Sequence, residues 1–477
     1  MTSLYVTTAI PYVNAPPHLG HALELVQADV LARHARLRGR PARFLTGTDD
    51  NALKNVTAAR AAGVPVAEFV DRNAARFRDL RGPLSLSFDD FIRTSADERH
   101  RSGVTALWRA CAARGDFYLR EYRGLYCGGC EQFWAAAELV DGRCPEHGVA
   151  PAPVTERNWF FRLSRYQEQI LALLESGALS VEPAARREEV LAFVRAGLAD
   201  LSVSRPASRA GGWGIPVPDD PGQIIYVWWD ALANYLTALE GADYDRWWAA
   251  GSVERTHVIG KGITRFHAVY WPALLLSAGR PRPDRILVHD YLTVDGAKLS
   301  KSAGHAVDPV DLAARYGPDA LRWWLLSEVA PLGDTDFTES RLIRRADQDL
   351  ANGLGNLVNR TLTLAHRHRQ GLLPGTPEAL SPDLPATIDR AVAAFDLRAA
   401  TGAIREAVTT ANRYLDYRRP WELPPSFDTT LATVVATCRR IATELTPFLP
   451  DAATRLKSQL GSGPQVGTPT PAFRRLS

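Results

Sequence analysis

The chain has 477 residues and a formal charge of +3, and 46% of its residues are hydrophobic and 23% charged. These values are typical of a globular enzyme of about three domains, and they exclude a disordered chain, a collagen-like chain and a small disulfide scaffold. The small net charge confines any nucleic-acid surface to a local patch. Because the sequence has neither a secretory signal pattern nor an apolar run long enough to span a membrane, we expect a cytoplasmic protein.

The first predicted elements form the start of a nucleotide-binding α/β unit. A β-branched apolar run at residues 4–10 predicts a strand, and a loop then leads into a predicted helix at 21–39. A second predicted strand, ARFLTGTDD at 42–50, ends in polar residues, and open α/β sheets bind ligands at the carboxyl ends of their strands. The fold class predicted from this order is α/β, with a Rossmann-type parallel sheet in the catalytic domain.

The pattern changes twice farther along the chain. Short strands, a Cys/His cluster and helices predict an inserted domain, after which strand and helix units return and end in a KLSKS loop. The last part is helical almost throughout, which predicts a separate α-helical bundle. We therefore predict four segments: the first half of the Rossmann catalytic domain at 1–115, a connective insertion with a zinc knuckle at 116–215, the second half of the catalytic domain at 216–340, and the α-helical domain at 341–477.

Four metal-ligand residues lie close together within the predicted insertion. Cys127 and Cys130 form a CxxC pair, and Cys144 and His147 form a CxxH pair shortly after it. Two such pairs can supply the tetrahedral thiolate and imidazole ligands that structural Zn²⁺ prefers. A redox-active CxxC is the alternative, but it leaves Cys144 and His147 unexplained. We therefore predict a structural zinc site.

Two short motifs could bind phosphate. HLGH places His18 and His21 at a predicted helix N-terminus, where backbone N–H groups and the helix dipole already favour anions. KLSKS could bring the charges of Lys298 and Lys301 to the β- and γ-phosphates of ATP. Each motif alone is weak, because HxxH at a helix start more often caps the helix or binds metal, and KxxK is usually a solvated loop.

Taken together, the two motifs resemble the signature motifs of class I aminoacyl-tRNA synthetases. The sequence between and after them is similar to the methionyl-tRNA synthetase family, and the similar stretches run from residue 9 to about 424 in family order. They include AIPYVNAPPHLGHA, FLTGTDD, IYVWWDALANYLTAL, HVIGKGITRFHAVYWPALL and RRPWELPP. The resemblance implies that the chain activates L-methionine with Mg²⁺ and ATP to give methionyl-adenylate, and then transfers methionine to tRNA(Met).

The resemblance also implies a role for each residue that matches a family position. Asp49 would pair with the α-ammonium group of methionine. An aromatic-rich pocket would hold the polarizable thioether side chain, and its residues are Ile10, Tyr12, Trp228, Ala231, Tyr235, Ile263, Phe266, His267 and Trp271. The residues that would bind ATP are Asn14, His18, His21, Lys298 and Lys301, the last four being catalytic because their charges act on the phosphates. The positions that read the anticodon are Asn356, Arg360 and Trp421.

Some positions depart from the family pattern and keep other functions open. Asp50-Asn51-Ala52 stands where many relatives have Glu-His-Gly, and Gly262 stands where an Asp is common. One alternative is a synthetase-like ligase that passes the activated amino acid to a small non-tRNA acceptor, and another is a duplicated synthetase that tolerates an inhibitor. A non-enzymatic RNA-binding module is a third, against which the intact HLGH and KLSKS motifs count. Because the chain stops after the helical domain, we expect a monomer.

Overall fold

The computed structural model of the chain describes residues 2–298 and 307–477. Lys301 therefore lies outside the described residues, as does the side chain of Lys298. The chain forms two compact units, the first made of Met1–Pro17, Arg40–Asp79 and Phe88–His289, the second of His18–Gly39, Leu80–Ser87 and Asp290–Ser477. The four segments predicted from the sequence stay a prediction.

The strands are, in chain order, β1 (Ser3–Thr8), β2 (Ala42–Thr48), β3 (Asp90–Arg93), β4 (Phe117–Cys127), β5 (Gln132–Trp134), β6 (Ala152–Phe161), β7 (Ser180–Glu182), β8 (Leu201–Ser202), β9 (Ser204–Pro206), β10 (Pro216–Val217), β11 (Asp220–Ile225), β12 (Val253–Gly260), β13 (Arg285–His289), β14 (Leu292–Val294), β15 (Ala297–Lys298) and β16 (Thr335–Asp336).

The α-helices are α1 (Leu19–Leu37), α2 (Leu53–Ala62), α3 (Val66–Arg78), α4 (Glu98–Ala113), α5 (Gln167–Glu175), α6 (Ala184–Arg195), α7 (Val227–Leu232), α8 (Asn234–Thr237), α9 (Ala242–Tyr244), α10 (Trp271–Ser277), α11 (Pro309–Tyr316), α12 (Pro318–Ser327), α13 (Glu339–Arg345), α14 (Asn356–Arg369), α15 (Leu384–Ala393), α16 (Leu397–Arg418), α17 (Phe427–Glu444) and α18 (Pro450–Leu460). Within the part of the chain that the structure describes, no helix has the length and apolar character needed to cross a membrane.

A six-stranded parallel sheet forms the centre of the first unit, in the order β3-β2-β1-β12-β13-β7. The interior strands are largely buried on both faces, as in β1, where every residue after Ser3 is buried. Parallel sheets covered on both faces bury their interior strands in this way. The strand order changes direction at β1, and ligands of open α/β sheets bind at this switch point, outside the carboxyl ends of the strands. The predicted Rossmann-type fold is confirmed.

Two small antiparallel sheets lie between β3 and β12 in the sequence of the first unit. One has the order β5-β4-β6-β8 and is dominated by the pairing of β4 with β6, from Phe117 opposite Phe161 to Tyr126 opposite Ala152. The other has the order β10-β11-β9. The Cys/His cluster begins at Cys127, the last residue of β4, so the knuckle is attached to the end of the longest strand pair in this region.

The second unit is mainly helical, as predicted for the C-terminal region. Its core includes a fully buried ion pair between Arg322 of α12 and Asp29 of α1, at 2.9 Å. The Arg322 guanidinium also donates to the carbonyl oxygens of Leu84, Pro447 and Phe448. Asp29 also pairs with Arg33 at 2.8 Å, so removing the Asp29 carboxylate would leave the buried Arg322 charge without this ion pair, and breaking a buried pair in this way typically costs about 3–5 kcal/mol.

Candidate active site

The loops that follow β1 and β2 meet at the switch point of the sheet. Asp49, the first residue after β2, donates its backbone N–H to the carbonyl of Pro11 at 2.9 Å, and Asp49 and Tyr12 form an isolated parallel bridge. Asp49 is almost completely buried. The sequence prediction that the polar end of this strand lies at the ligand-binding edge therefore agrees with the backbone geometry.

The carboxyl group of Asp49 lies in surroundings that favour a bound cation. Burial is the largest cause that raises its pKa well above the ordinary value, and the nearby charges of Asp230, Glu131 and Asp50 raise it further. One hydrogen bond, from the backbone N–H of Asn51 at 3.3 Å, acts in the opposite direction. A cation placed beside Asp49 would relieve this repulsion, and an α-ammonium group has the size and hydrogen-bond donors for that position.

An aromatic pocket adjoins Asp49 through Tyr12. The Tyr12 ring lies 5.9 Å from the Trp228 ring, and Trp228 stacks on Phe266 with ring centroids 4.1 Å apart. The Tyr12 hydroxyl is buried and has no hydrogen-bond partner among the described atoms. An unsatisfied buried hydroxyl is costly, so a polar group of a bound ligand would stabilise it.

A second group of predicted pocket residues surrounds His267. The Tyr235 hydroxyl lies 2.7 Å from Nε2 of His267, whose Nδ1 lies 3.0 Å from the carbonyl of Ile263. Because a carbonyl only accepts, the ring proton is on Nδ1, and Nε2 accepts the Tyr235 hydroxyl. Burial lowers the pKa of His267 to about 4, so the ring is neutral at pH 7. Trp271 makes an edge contact with Tyr235 at 6.1 Å.

Ala231 and Ile10 are the other two residues predicted to line the pocket, and no described contact defines their role. Ala231 is buried in α7, which also contains Trp228. Ile10 is partly buried two residues after β1. The structure thus joins Tyr12, Trp228 and Phe266 in one aromatic group, and Tyr235, His267, Ile263 and Trp271 in another.

The two histidines of HLGH cap α1 with their own side chains. His18 Nδ1 accepts the N–H of Gly20, and His21 Nδ1 accepts the N–H of His18, each at 3.1 Å. The two rings stack with their centroids 3.8 Å apart. Since both Nδ1 atoms accept, the proton of each neutral ring is on Nε2, which makes Nε2 a donor suited to a phosphate oxygen. A Cβ at Gly20 would lie 3.0 Å from the His18 ring, so only glycine leaves it undisturbed.

The other predicted phosphate ligands are less defined. Asn14 is exposed in the loop after β1. Lys298 is the last residue of β15, and the structure describes its backbone but not its side chain. Lys301 lies outside the described residues, so its role stays a prediction.

The four predicted metal ligands lie together at the end of β4 and in the segment that follows it. The ligand atoms of Cys127, Cys130, Cys144 and His147 all lie within 4.8 Å of one another. The Sγ atoms of Cys130 and Cys144 are 3.8 Å apart, the edge expected of a tetrahedron with zinc–sulfur bonds of about 2.3 Å. A Cβ at Gly129 would lie 2.5 Å from the His147 ring, so the turn requires glycine. The donor set and its spacing fit a tetrahedral metal ion.

A tryptophan next to the knuckle supports the thiolate character of the site. The indole N–H of Trp134 donates to Sγ of Cys130 at 3.2 Å. Hydrogen bonds of this kind orient a ligand sulfur and stabilise its negative charge. A redox CxxC would not require the third sulfur and the imidazole that complete this arrangement.

The three residues predicted to read an anticodon belong to the second unit. Asn356 is exposed at the start of α14, and Arg360 lies one helical turn later. The Arg360 guanidinium lies 5.7 Å from the ring centroid of Trp421 and forms an ion pair with Asp416 at 3.0 Å. Trp421 is 45% exposed, which leaves the face or edge of a large ring open to stacking.

Comparison with known proteins agrees with this geometry. The profile of the family described as tRNA synthetases class I (M) matches residues 4–153 and 147–362. The chain belongs to this family. It is 40% identical over 511 residues to the methionine–tRNA ligase of Brucella suis biovar 1, an alignment that covers 99% of this chain and 97% of that relative. It is 42% identical over 491 residues to the methionine–tRNA ligase of Mycobacterium tuberculosis (strain H37Rv), covering 97% of this chain and 93% of that protein.

Solved synthetase structures are also similar to it. One is the Mycobacterium tuberculosis methionyl-tRNA synthetase in complex with methionyl-adenylate, with a TM-score of 0.92, 38% identity and full coverage of both chains. The apo form of the same enzyme has a TM-score of 0.85 and 35% identity, covering 100% of this chain and 98% of that one. The likeness therefore extends over the whole synthetase chain.

Several residues of the synthetase site have no recognisable signal in the sequence. Glu131 is buried beside the knuckle, and its Oε1 accepts the N–H of Lys54 at 2.6 Å, so it caps the N-terminus of α2 from another part of the chain. Ala52, the residue at the N-cap position of α2, makes no side-chain capping hydrogen bond. His100 and Asp230 form a buried pair at 2.5 Å. Contacts over such sequence separations leave no local spacing from which to predict them.

Proposed function

We propose that the chain is a methionine–tRNA ligase that activates L-methionine with ATP and transfers it to tRNA(Met). The observation that supports this most is the position of Asp49, whose buried carboxyl group has a raised pKa. Tyr12 links it to the aromatic pocket, because Tyr12 forms a backbone bridge with Asp49 and its ring lies against Trp228. An ammonium group and an apolar thioether would fill these two positions. The names of the relatives, and their similarity over the full chain, support the same activity.

In the first step, a carboxylate oxygen of methionine attacks the α-phosphorus of ATP. The new bond forms the methionyl-adenylate, and the bond to the bridging oxygen breaks to release pyrophosphate. The Nε2–H groups of His18 and His21, held by their capping bonds, would donate to phosphate oxygens. Lys298 and Lys301 would add positive charge, and Mg²⁺ bound to ATP would neutralise part of the remainder. No side chain needs to act as a nucleophile.

In the second step, a terminal hydroxyl of tRNA attacks the acyl carbon and AMP leaves. Recognition of the tRNA is proposed for Asn356, Arg360 and Trp421, because unpaired bases are read by stacking and by polar contacts to their edges. The exposed Trp421 ring and the neighbouring Arg360 guanidinium supply both kinds of contact. A ligase with a small non-tRNA acceptor is not favoured, since the similar proteins are named as tRNA ligases.

Zinc is the metal proposed for the knuckle. Three thiolates and one imidazole would hold it, and a closed four-ligand set supplies folding energy rather than an open catalytic position. The monomeric state and the cytoplasmic location also stay predictions.

Pyrophosphate exchange with each of the standard amino acids tests the proposed activity. We expect exchange to depend on methionine in preference to all other amino acids, and charging to require tRNA(Met). If another amino acid gave the fastest exchange, the assignment of the pocket to methionine would be wrong. If methionine supported exchange but no methionine tRNA were charged, the second step would be wrong.

A further inference from the structure

Four acidic side chains are buried around the carboxyl end of β2. Asp49, Asp50, Asp230 and Glu131 are each no more than 3% exposed, and the charges of the other three all act on Asp49. Buried carboxylates so close together repel one another, and each one costs free energy unless it has a partner. The distribution of those partners determines which carboxylate is left for a ligand.

Two of the four have hydrogen-bond partners that do not reach Asp49, although Oδ1 of Asp50 has no partner among the described atoms. Asp50 accepts hydrogen bonds from the guanidinium of Arg93 at 2.7 Å and from the hydroxyl of Ser95 at 2.8 Å. Glu131 accepts the first backbone N–H groups of α2. Each of these two carboxyl groups therefore has hydrogen-bond partners of its own within the protein.

Asp230 is hydrogen-bonded to His100. The imidazole Nε2 lies 2.5 Å from Oδ1 of Asp230, and both side chains are at most 1% exposed. The other ring nitrogen of His100 lies 2.8 Å from the hydroxyl of Thr237, which fixes the plane of the ring. A carboxylate can accept from a donor on each oxygen, and the second oxygen of Asp230 accepts from Asn51 at 2.8 Å.

Asn51 connects this pair to Asp49. Its side-chain amide uses both hydrogens, one on Asp230 and one on the carbonyl of Thr94 at 3.2 Å. Its backbone N–H donates to Oδ1 of Asp49. His100, Asp230, Asn51 and Asp49 therefore form one buried chain of hydrogen bonds that ends at the carboxylate assigned to the ammonium group.

We propose that His100 is a positioning residue for the amino acid, acting through Asp230 and Asn51. It hydrogen-bonds Oδ1 of Asp230 and fixes that carboxylate, so that the other oxygen of Asp230 holds the Asn51 amide and the backbone N–H of Asn51 holds the carboxyl group of Asp49 in place. Without His100, Asp230 is free to rotate away from Asn51, and the backbone N–H that orients the carboxyl group of Asp49 loses its support. The inference rests on the proposed function only in its choice of ligand, because every amino acid carries the α-ammonium group that Asp49 would bind.

Equilibrium binding of methionine and of 4-(methylsulfanyl)butanoate, which is methionine without its amino group, tests this role. The dissociation constant of the analogue divided by that of methionine reports the ammonium contact alone, whereas a general loss of structure weakens the binding of both ligands. We expect His100→Ala to reduce this ratio roughly 10-fold or more, the loss typical of a disrupted charged hydrogen bond. Asp230→Asn replaces one of the two accepting oxygens by an NH₂ group, so it breaks the link between His100 and Asn51 and should act in the same direction. His100→Gln, which can place an amide N–H near the position of Nε2, should restore most of the ratio.

Asp116→Asn is the matched control, because Asp116 is another buried carboxylate of the same unit. It accepts from Tyr166 at 2.5 Å and Ser277 at 2.7 Å and makes no contact with the chain ending at Asp49. It should lower the melting temperature and leave the ratio unchanged. Folded His100→Ala and Asp230→Asn proteins with the parent's ratio would overturn the proposal. If the exchange panel selects another amino acid, the proposed function fails, and the ratio for that amino acid and its deaminated analogue still decides the role of His100.

Discussion

The indole N–H of Trp228 donates a hydrogen bond to the carbonyl of Cys130, 3.2 Å away. One wall of the proposed amino-acid pocket is therefore attached to a residue of the metal-ligand cluster. The next residue, Glu131, accepts the hydroxyl of Tyr226 on its carbonyl at 2.5 Å. A metal-ligand residue and its neighbour thus hold the segment at the start of α7, and the geometry of the pocket depends on the fold of the knuckle.

Cys144→Ser should therefore affect both metal content and methionine binding. We expect the parent to hold one zinc per chain and the variant to lose it, because a small knuckle without its metal has little core to stabilise it. We also expect a rise in the KM for methionine, since Trp228 and Tyr226 lose their anchors. Elemental analysis and pyrophosphate exchange measure the two effects. Cys438→Ser replaces another buried cysteine outside the cluster and should leave the metal content unchanged; stoichiometric zinc in Cys144→Ser would contradict the ligand assignment.

Asp49→Asn should stabilise the protein while removing methionine binding. Burial and neighbouring acids raise the pKa of Asp49 above its unfolded value, so between the two values the native state binds more protons than the unfolded state. The stability of the parent consequently falls as pH rises through this window, and stays lower above it. The variant lacks this loss, so we expect its free energy of unfolding at pH 7 to exceed that of the parent by about 1–3 kcal/mol. The difference should vanish near pH 4.

Urea unfolding at several pH values measures this difference. Glu328→Gln is a control of opposite sign, because the ion pairs with Arg341 and Arg345 outweigh the effect of burial and hold the pKa of Glu328 below its usual value. It should be less stable than the parent at pH 7. An Asp49→Asn protein that is less stable than the parent at pH 7 would show that Asp49 has a structural partner.

The raised pKa of Asp49 also determines whether methionine binding releases or takes up a proton. A bound ammonium group favours the ionised form of Asp49, so binding releases a proton at any pH between the pKa of the complex and that of the free protein. Methionine affinity should therefore rise with pH across this interval. Calorimetric titrations in buffers of different ionisation enthalpy measure the released proton. Uptake of a proton instead would contradict the pairing.

The sequence was sufficient to predict the parts of the fold and site that depend on local spacing. The strand, loop and helix of the α/β unit, the CxxC and CxxH pairs and the position of His18 and His21 at a helix start are all local patterns, and the structure agrees with them. The histidine–aspartate pair at positions 100 and 230 and the cap that Glu131 gives to α2 depend on tertiary packing. Such contacts between distant buried residues have no periodicity, so the sequence could not predict them.

His18→Asn should separate the capping role of this residue from its role toward phosphate. Asparagine is a strong N-cap, so it should retain the bond that His18 makes to the Gly20 N–H and keep the stability of α1. It has no group at the position of Nε2, so adenylate formation should slow by roughly 10²–10³-fold, the usual effect of losing one preorganised donor. Pyrophosphate exchange measures the rate and thermal unfolding the stability. An exchange rate within a few-fold of the parent would show that His18 is only a cap.

Trp421→Ala should impair tRNA charging and leave tRNA-independent pyrophosphate exchange unchanged. The reason is the exposed position of the Trp421 ring beside the Arg360 guanidinium in the second unit, where it can stack on an unpaired base. Loss of one stacked base is worth about 1–3 kcal/mol, so charging efficiency should fall roughly 5- to 150-fold. Leu372→Ala is the matched control, because Leu372 is also 45% exposed but has no aromatic ring; it should affect neither activity. If Trp421→Ala reduced charging and exchange equally, Trp421 would be a structural contact, and recognition of the anticodon would have to lie elsewhere.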